Sequence, residues 1–115
     1  MRKLTFTTKA EQRLEEISDW TFERFGPRQA DIYEQELISK CLAIASGMAV
    51  TQSCSILTPA NLSPPLRFGR SGKHLIIYLE HRDKCVIIDL MHSSSNLATG
   101  IERLARLTTA GTAET

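Results

Sequence analysis

Residues able to carry acid–base or anion-binding chemistry lie in the second half of the chain. Imidazole titrates near neutral pH, so His74 and His92 could each donate or accept a proton. A short basic cluster, consisting of Arg67, Arg70 and Lys73, lies close to His74 in the sequence. Such cations are usually solvated, but together they could also contact a target molecule. The sequence therefore predicts two candidate imidazoles and one candidate target-binding patch.

Other kinds of chemical site are not expected from the residue spacing. The three histidines and three cysteines lack the spacing of metal ligands, and no pair of glycines forms a phosphate-binding loop. We therefore expect neither a metal nor a cofactor. Serines follow His92, but no third group is placed to orient a base, so helix capping explains them better than nucleophilic catalysis. Cysteines at 41, 54 and 85 are odd in number, which favours free thiols over a disulfide framework.

The composition indicates one small domain with balanced charge. The chain has 115 residues, 42% of them hydrophobic, and a formal net charge of +1. We expect a single domain over residues 1–107, followed by a disordered tail over 108–115 that lacks an apolar anchor. Nucleic-acid binding proteins usually carry a clear basic excess, and a membrane helix needs about 20 apolar residues. With no secretory signal pattern, the expected protein is cytoplasmic, does not insert in membranes and does not bind nucleic acid sequence-specifically.

The elements that would position these side chains begin with a helical hairpin. A short strand over 3–7 is followed by a helix that begins near Lys9, behind a capping box formed by Thr8 and Glu11. Apolar residues then recur at helical spacing in two successive stripes. Gly26-Pro27 separates the stripes, because Gly favours the end of one helix and Pro the start of the next. The short link predicts two antiparallel helices.

The remaining residues predict strands and a last short helix. Residues 48–65 show no hydrophobic period and form an irregular connection. Strands are expected at 66–70, 74–82 and 85–92, arranged as an antiparallel meander. A helix over 97–104 follows a group of capping residues. The predicted fold class is therefore α+β, with an N-terminal strand, an antiparallel helical hairpin, a three-stranded antiparallel meander and a short C-terminal helix.

Alternation along the last two strands predicts one apolar face and one mixed face. A two-residue turn at Asp83-Lys84 would place Leu75 opposite His92, and His92 would then be a structural histidine on the apolar face. The mixed face would be incompletely covered and free to bind a partner. The apolar face would consist of Leu75, Ile77, Leu79, Val86, Ile88 and Leu90, and the mixed face of His74, Ile76, Tyr78, Glu80, Cys85, Ile87, Asp89 and Met91.

Short motifs occur along the chain in a characteristic order. Residues 25–33 read aromatic-Gly-x-x-Gln-Ala-x-x-Tyr, and Leu66-Arg67 follows the irregular connection. Residues 72–78 then read Gly-x-His-x-x-x-Tyr, and residues 87–92 read Ile-x-x-Leu-Met-His. In their order and spacing, which extend over most of residues 4–104, these motifs resemble the ParE branch of the RelE/ParE superfamily of small bacterial toxins.

The resemblance implies the toxin of a type II toxin–antitoxin system, active in plasmid stabilisation or growth control. ParE toxins typically poison DNA gyrase by binding rather than by turnover, and a ParD-like antitoxin wraps and neutralises them. RelE toxins instead cleave mRNA on the ribosome; here His92, Tyr78 and His74 would be the candidate acid, base and positioning groups. Carboxylates on the mixed face and the near-zero charge favour the gyrase inhibitor. A non-toxic relative that only binds its partner is a third possibility.

Two surfaces are the candidate binding sites under this hypothesis. The basic cluster would contact the target. A groove between the helical hairpin and the sheet would hold the antitoxin, with Trp20, Phe22 and Ile76 as apolar anchors. No catalytic residue is expected if the chain is a gyrase inhibitor.

Overall fold

The computed structural model describes residues 2–62 and 65–109, which form three α-helices and a five-stranded sheet. The helical hairpin covers one face of the sheet and the C-terminal helix covers the other. The α+β fold class is therefore confirmed. The elements in chain order are β1 (Lys3–Phe6), α1 (Thr8–Phe25), α2 (Pro27–Ala45), β2 (Gln52–Ser53), a 3-10 turn (Cys54–Ile56), β3 (Arg67–Ser71), β4 (His74–Glu80), β5 (Lys84–His92) and α3 (Leu97–Thr109).

Two strands of the sheet, β1 and β2, lie outside the three-stranded meander. The strand order of the sheet is β1-β5-β4-β3-β2, with β1 parallel to β5 and all other neighbours antiparallel. The N-terminal strand therefore lies at one edge, beside the last strand. At the other edge, β2 comes from the segment expected to be an irregular connection, and it pairs with only Arg67 and Phe68 of β3.

The helix boundaries follow local signals closely. The N-cap of α1 is Thr7, whose Oγ1 accepts a hydrogen bond from the Ala10 amide at 3.0 Å, so the capping box expected at Thr8 is one residue out. Gly26 adopts a φ of 89° between the two helices, as the Gly-Pro pair predicts. Helix α3 extends through Thr109, so the start of the expected disordered tail is helical, while residues 110–115 lie outside the described part. Among the described helices, none is long and apolar enough to cross a membrane.

The pairing of β4 with β5 differs from the predicted register. Glu80 pairs with Cys85, and the His81 amide donates to the Lys84 carbonyl at 2.9 Å, so the turn residues are Arg82 and Asp83 and the turn expected at Asp83-Lys84 is one residue out. A bulge then leaves Ile88 as an extra residue between the pairs Tyr78–Ile87 and Ile77–Asp89.

The bulge changes which side chains share a face. Beyond it, Leu75 lies opposite Met91, and His92 lies opposite His74 rather than opposite Leu75. The expectation that His92 lies on the apolar face is therefore wrong. Leu90 likewise moves from its expected face to the face beneath α1 and α2.

Each face of the sheet forms its own apolar core. Under the hairpin, Leu37 and Cys41 of α2 pack against Ile76 and Ile87. On the opposite face, residues of α3 such as Ile101 pack against the expected apolar set of β4 and β5 without Leu90. Two amphipathic helices lie on the predicted mixed face, so it is covered except at its His74 end, and the prediction of incomplete cover holds only there.

Candidate functional site

An open groove of about 710 Å³ lies between the hairpin and the ends of β4 and β5. Trp20 and Phe25 of α1 form its aromatic end. The β3–β4 turn and the two histidines form its polar end, and Ile17 and Leu90 contribute apolar surface. A groove with one apolar and one polar end suits an amphipathic ligand or protein segment.

His74 is held by Tyr33, which α2 brings to the edge of the sheet. The Tyr33 hydroxyl lies 2.7 Å from His74 Nδ1, 3.2 Å from the Lys73 amide and 3.3 Å from the Ser71 carbonyl. All three contacts are satisfied if the hydroxyl donates to Ser71 and accepts from Lys73 and from His74 Nδ1–H. His74 then keeps its Nε2 lone pair free. Burial, helped by His92 and Arg13, lowers the pKa of His74 to about 4, so the ring is neutral at neutral pH.

His92 lies beside His74 but in a different hydrogen-bonding environment. The two ring centroids are 5.2 Å apart in an edge-to-face arrangement. The Ser94 amide donates to His92 Nδ1 at 3.0 Å, and Ser94 Oγ lies 2.7 Å from the same atom. Since a backbone amide can only donate, the neutral His92 ring carries its proton on Nε2. The histidine pair, His74 and His92, therefore combines an acceptor nitrogen with a donor nitrogen.

Charge in the groove is largely neutralised by an ion pair from α1. Arg13 Nε donates to Oδ1 of Asp89 at 3.2 Å, and Arg13 also lies 3.6 Å from the Glu16 carboxylate. The Asp89 side chain is only 4% exposed and also accepts from the Leu90 amide at 2.7 Å. The Arg13 guanidinium thus compensates a buried carboxylate, which leaves it poorly available to a bound phosphate.

The aromatic end contains one of the three predicted anchors. Trp20 is 52% exposed, with Phe25 edge-on at 6.1 Å and the Arg24 guanidinium 4.9 Å from its ring centre. Phe22 is 54% exposed but lies two helical positions away, about 200° around α1, and does not line the groove. Ile76 is fully buried, so it offers no surface to a partner. Sequence reasoning missed Phe25, although it ends the apolar stripe of α1.

The basic cluster does not form one patch. Arg67 Nε donates to the Tyr78 hydroxyl at 3.3 Å, and Arg67 Nη2 donates to Thr51 Oγ1 at 3.1 Å. Arg70 is three positions along β3, about 10 Å away and on the opposite face. It is exposed, and its Nε donates to the Gly72 carbonyl at 3.1 Å. Only Arg70 and Lys73 therefore remain as exposed members near the β3–β4 turn.

The three residues of the nuclease alternative are only partly brought together. His74 and His92 are neighbours, but Tyr78 is buried four residues along β4, about 13 Å from His74 by strand rise. Its hydroxyl donates to Thr51 Oγ1 at 2.9 Å. Tyr33 occupies the place beside His74 instead. The signal for Tyr33 was its place in the aromatic-Gly-x-x-Gln-Ala-x-x-Tyr motif.

The cysteines take no part in the groove. Cys41, Cys54 and Cys85 are free and buried, and burial raises the pKa of the first two to about 12 and of the third to about 11. Their thiols are therefore protonated and unreactive at neutral pH. Within residues 2–62 and 65–109, no three His, Cys, Asp or Glu side chains are grouped as metal ligands.

Comparisons with known proteins agree with this architecture. The family model described as the ParE toxin of the type II toxin–antitoxin system parDE matches residues 4–97. No curated protein matches the chain in sequence. Among solved structures, a chain described as "Chromosomal ParDE TA system from P. aeruginosa" is similar, with a TM-score of 0.62 and 17% sequence identity, over 80% of this chain and 96% of that chain. At this identity, the likeness shows the fold.

Proposed function

Because the chain belongs to the ParE toxin family of type II toxin–antitoxin systems, we propose that it inhibits DNA gyrase by binding and that a ParD-like antitoxin neutralises it. The family was identified from motifs in the sequence, and the match over residues 4–97 confirms that identification. The gyrase target and the ParD-like antitoxin are inferred from the resemblance of the motifs to the ParE branch. The single observation that carries the proposal is that exposed aromatic side chains line the groove, as they do in protein-binding surfaces.

The groove has the features of a protein-binding surface. Two exposed aromatic side chains, Trp20 and Phe25, line its apolar end, and aromatic anchors of this kind dominate protein–protein interfaces. The Arg13 cation is engaged by Asp89 and Glu16. Lys73 is the one cation lining the groove that has no ion-pair partner among the described residues. A site that cleaves RNA needs several cations around the reacting phosphate, so this arrangement favours binding over ribonuclease chemistry.

One observation favours the endoribonuclease alternative. His74 and His92 lie side by side, and the tautomers assigned from their hydrogen bonds would let one ring accept a proton while the other donates. The predicted third member, Tyr78, lies apart from them. If the chain is a ribosome-dependent nuclease, His92→Gln abolishes mRNA cleavage by translating ribosomes, whereas a gyrase inhibitor leaves mRNA intact with or without the substitution.

The decisive test is gyrase-dependent supercoiling of relaxed plasmid with the antitoxin-free chain. We expect loss of supercoiling and accumulation of linear DNA. A folded chain that affects neither would contradict gyrase inhibition and make translating ribosomes the next substrate.

A double variant then tests the target-binding patch. Arg70→Ala with Lys73→Ala removes the two exposed cations near the β3–β4 turn without touching the bonds of Arg67. Lys3→Ala with Arg82→Ala is the matched control, because both residues are exposed at the opposite end of the sheet. We expect about tenfold weaker inhibition from the first pair alone. Equal potency of both double variants would exclude the patch.

A further inference from the structure

We infer that the histidine pair and Lys73 form a carboxylate-binding subsite, which takes an acidic side chain from the antitoxin segment seated in the groove and gains a proton on His92 as it binds. The inference rests on the proposed function, since it requires an antitoxin that occupies the groove. It adds to that function a chemical feature by which this toxin would recognise its partner.

Two donors at the polar end of the groove are available to a carboxylate. His92 is exposed, and the Ser94 amide on its Nδ1 leaves Nε2–H as a donor. Lys73 is exposed in the β3–β4 turn, and it has no ion-pair partner among the described residues. A carboxylate can accept from both at once through its two oxygens, and such charge-assisted bonds are stronger than neutral ones.

The fixed charges around the pair are balanced before the partner arrives. Arg13 and Lys73 supply two positive charges, and Glu16 and Asp89 supply two negative charges. An added carboxylate would therefore give the site a net negative charge unless an imidazole gained a proton. The groups facing His92 come from α1 (Arg13, Glu16), α2 (Tyr33), the β3–β4 turn (Lys73), β4 (His74) and β5 (Asp89).

The proton is expected on His92 rather than on His74. His74 is more buried and is bonded to Tyr33, and two rings 5.2 Å apart do not both become charged. His92 is exposed, and Ser94 Oγ, 2.7 Å from Nδ1, can accept the new Nδ1–H if the Ser94 amide gives up its hydrogen bond to the same atom. Binding should therefore take up at most one proton.

The other end of the groove indicates a second feature of the bound segment. This end presents Trp20 and Phe25, which suit a large apolar side chain. The occupant is therefore an amphipathic segment that places an apolar residue at the aromatic end and Asp or Glu at the histidine end.

Calorimetric titration of the toxin with its cognate antitoxin tests the inference. Near pH 7, titrations in two buffers of different ionisation enthalpy give the number of protons taken up. We expect a fractional uptake of up to one proton, and binding about tenfold weaker at pH 8.5 than at pH 6.5. His92→Gln should abolish both effects. His81→Gln is the matched control, because His81 is exposed in the β4–β5 turn and does not line the groove.

Antitoxin variants identify the carboxylate. Each Asp or Glu in the toxin-binding segment is replaced by its amide, and one replacement should weaken binding as His92→Gln does. The two substitutions together should then weaken binding no more than either one alone. Additive losses for every antitoxin variant would overturn the inference.

Failure of the inference can be distinguished from failure of the proposed function. Trp20 is the single tryptophan of the chain and lines the groove, so its fluorescence reports groove occupancy independently. Tight binding that changes this fluorescence but takes up no proton would overturn the carboxylate subsite and leave the antitoxin proposal intact. Absence of both binding and fluorescence change would overturn the antitoxin proposal itself.

Discussion

Acidification should destabilise the protein through His74. In the folded chain its pKa is lowered from 6.5 to about 4, mainly by burial against Tyr33 and the sheet. The unfolded chain therefore binds the proton first as the pH falls. The stability contributed by neutral His74 is complete above about pH 6.5 and is lost as the pH falls towards 4.

The size of the effect follows from the two pKa values. Each pKa unit corresponds to about 1.4 kcal/mol, so the full difference would be about 3 kcal/mol. The ring is partly exposed, and solvent screening reduces this value to about 1.5 kcal/mol. Between pH 7.5 and pH 4.5, the free energy of unfolding of the wild type should fall by about 1–2 kcal/mol more than that of His74→Gln.

Urea unfolding followed by Trp20 fluorescence measures this difference at a series of pH values. Comparison with His74→Gln removes the contributions of the carboxylates, which titrate in both proteins. His81→Gln serves as the control, since His81 is exposed and should leave the wild-type pH dependence unchanged. Parallel stability curves for the wild type and His74→Gln would refute the reasoning.

Three further substitutions test the site and its support. Gly72→Ala should lower the free energy of unfolding by at least about 2 kcal/mol in thermal or urea melts, because Gly72 has a φ of +58° and a Cβ there would lie 2.7 Å from a tyrosine ring carbon. Arg67→Ala should cost about 1–2 kcal/mol in urea unfolding, because it breaks two side-chain hydrogen bonds, whereas Arg70→Ala should stay within about 0.5 kcal/mol. Equal costs for the two arginines would contradict this assignment. Trp20→Ala should weaken antitoxin binding about 100-fold in calorimetry without changing stability, while Phe22→Ala, equally exposed but outside the groove, should change affinity little.

Local sequence signals were sufficient for the three helices and for every strand except β2, which is two residues long and is defined by its pairing with β3. Gly26-Pro27 located the helix junction because the backbone preferences of these two residues act within a single turn. The N-cap of α1 was predicted at Thr8 and lies at Thr7. The two residues have equivalent side chains, and only the contact with Ala10 distinguishes them. Family motifs spread along the chain also identified the fold class before any geometry was known.

Strand register was beyond the reach of these signals. Turns at Arg82-Asp83 and at Asp83-Lys84 are both compatible with the residues there, and the bulge at Ile88 leaves no mark in the alternation of apolar residues. Pairing across the sheet decides both features, and each shift of one residue exchanges the two faces. For this reason His92 was expected on the wrong face. Ile76 lies on the face where it was predicted, but the packing of the hairpin on that face, which the strand pattern does not reveal, buries it.

The sequence by itself determined the three helices, four of the five strands, their order, the family and the candidate residue types, because these depend on neighbours within a few positions or on motifs read along the chain. The tertiary structure alone decided which candidates meet. It joined Tyr33 of α2 to His74, paired His74 with His92, engaged Arg67 with Tyr78, and placed Trp20 beside Phe25 at the groove. These contacts depend on packing between segments that are distant in sequence, and residue spacing does not encode such distances.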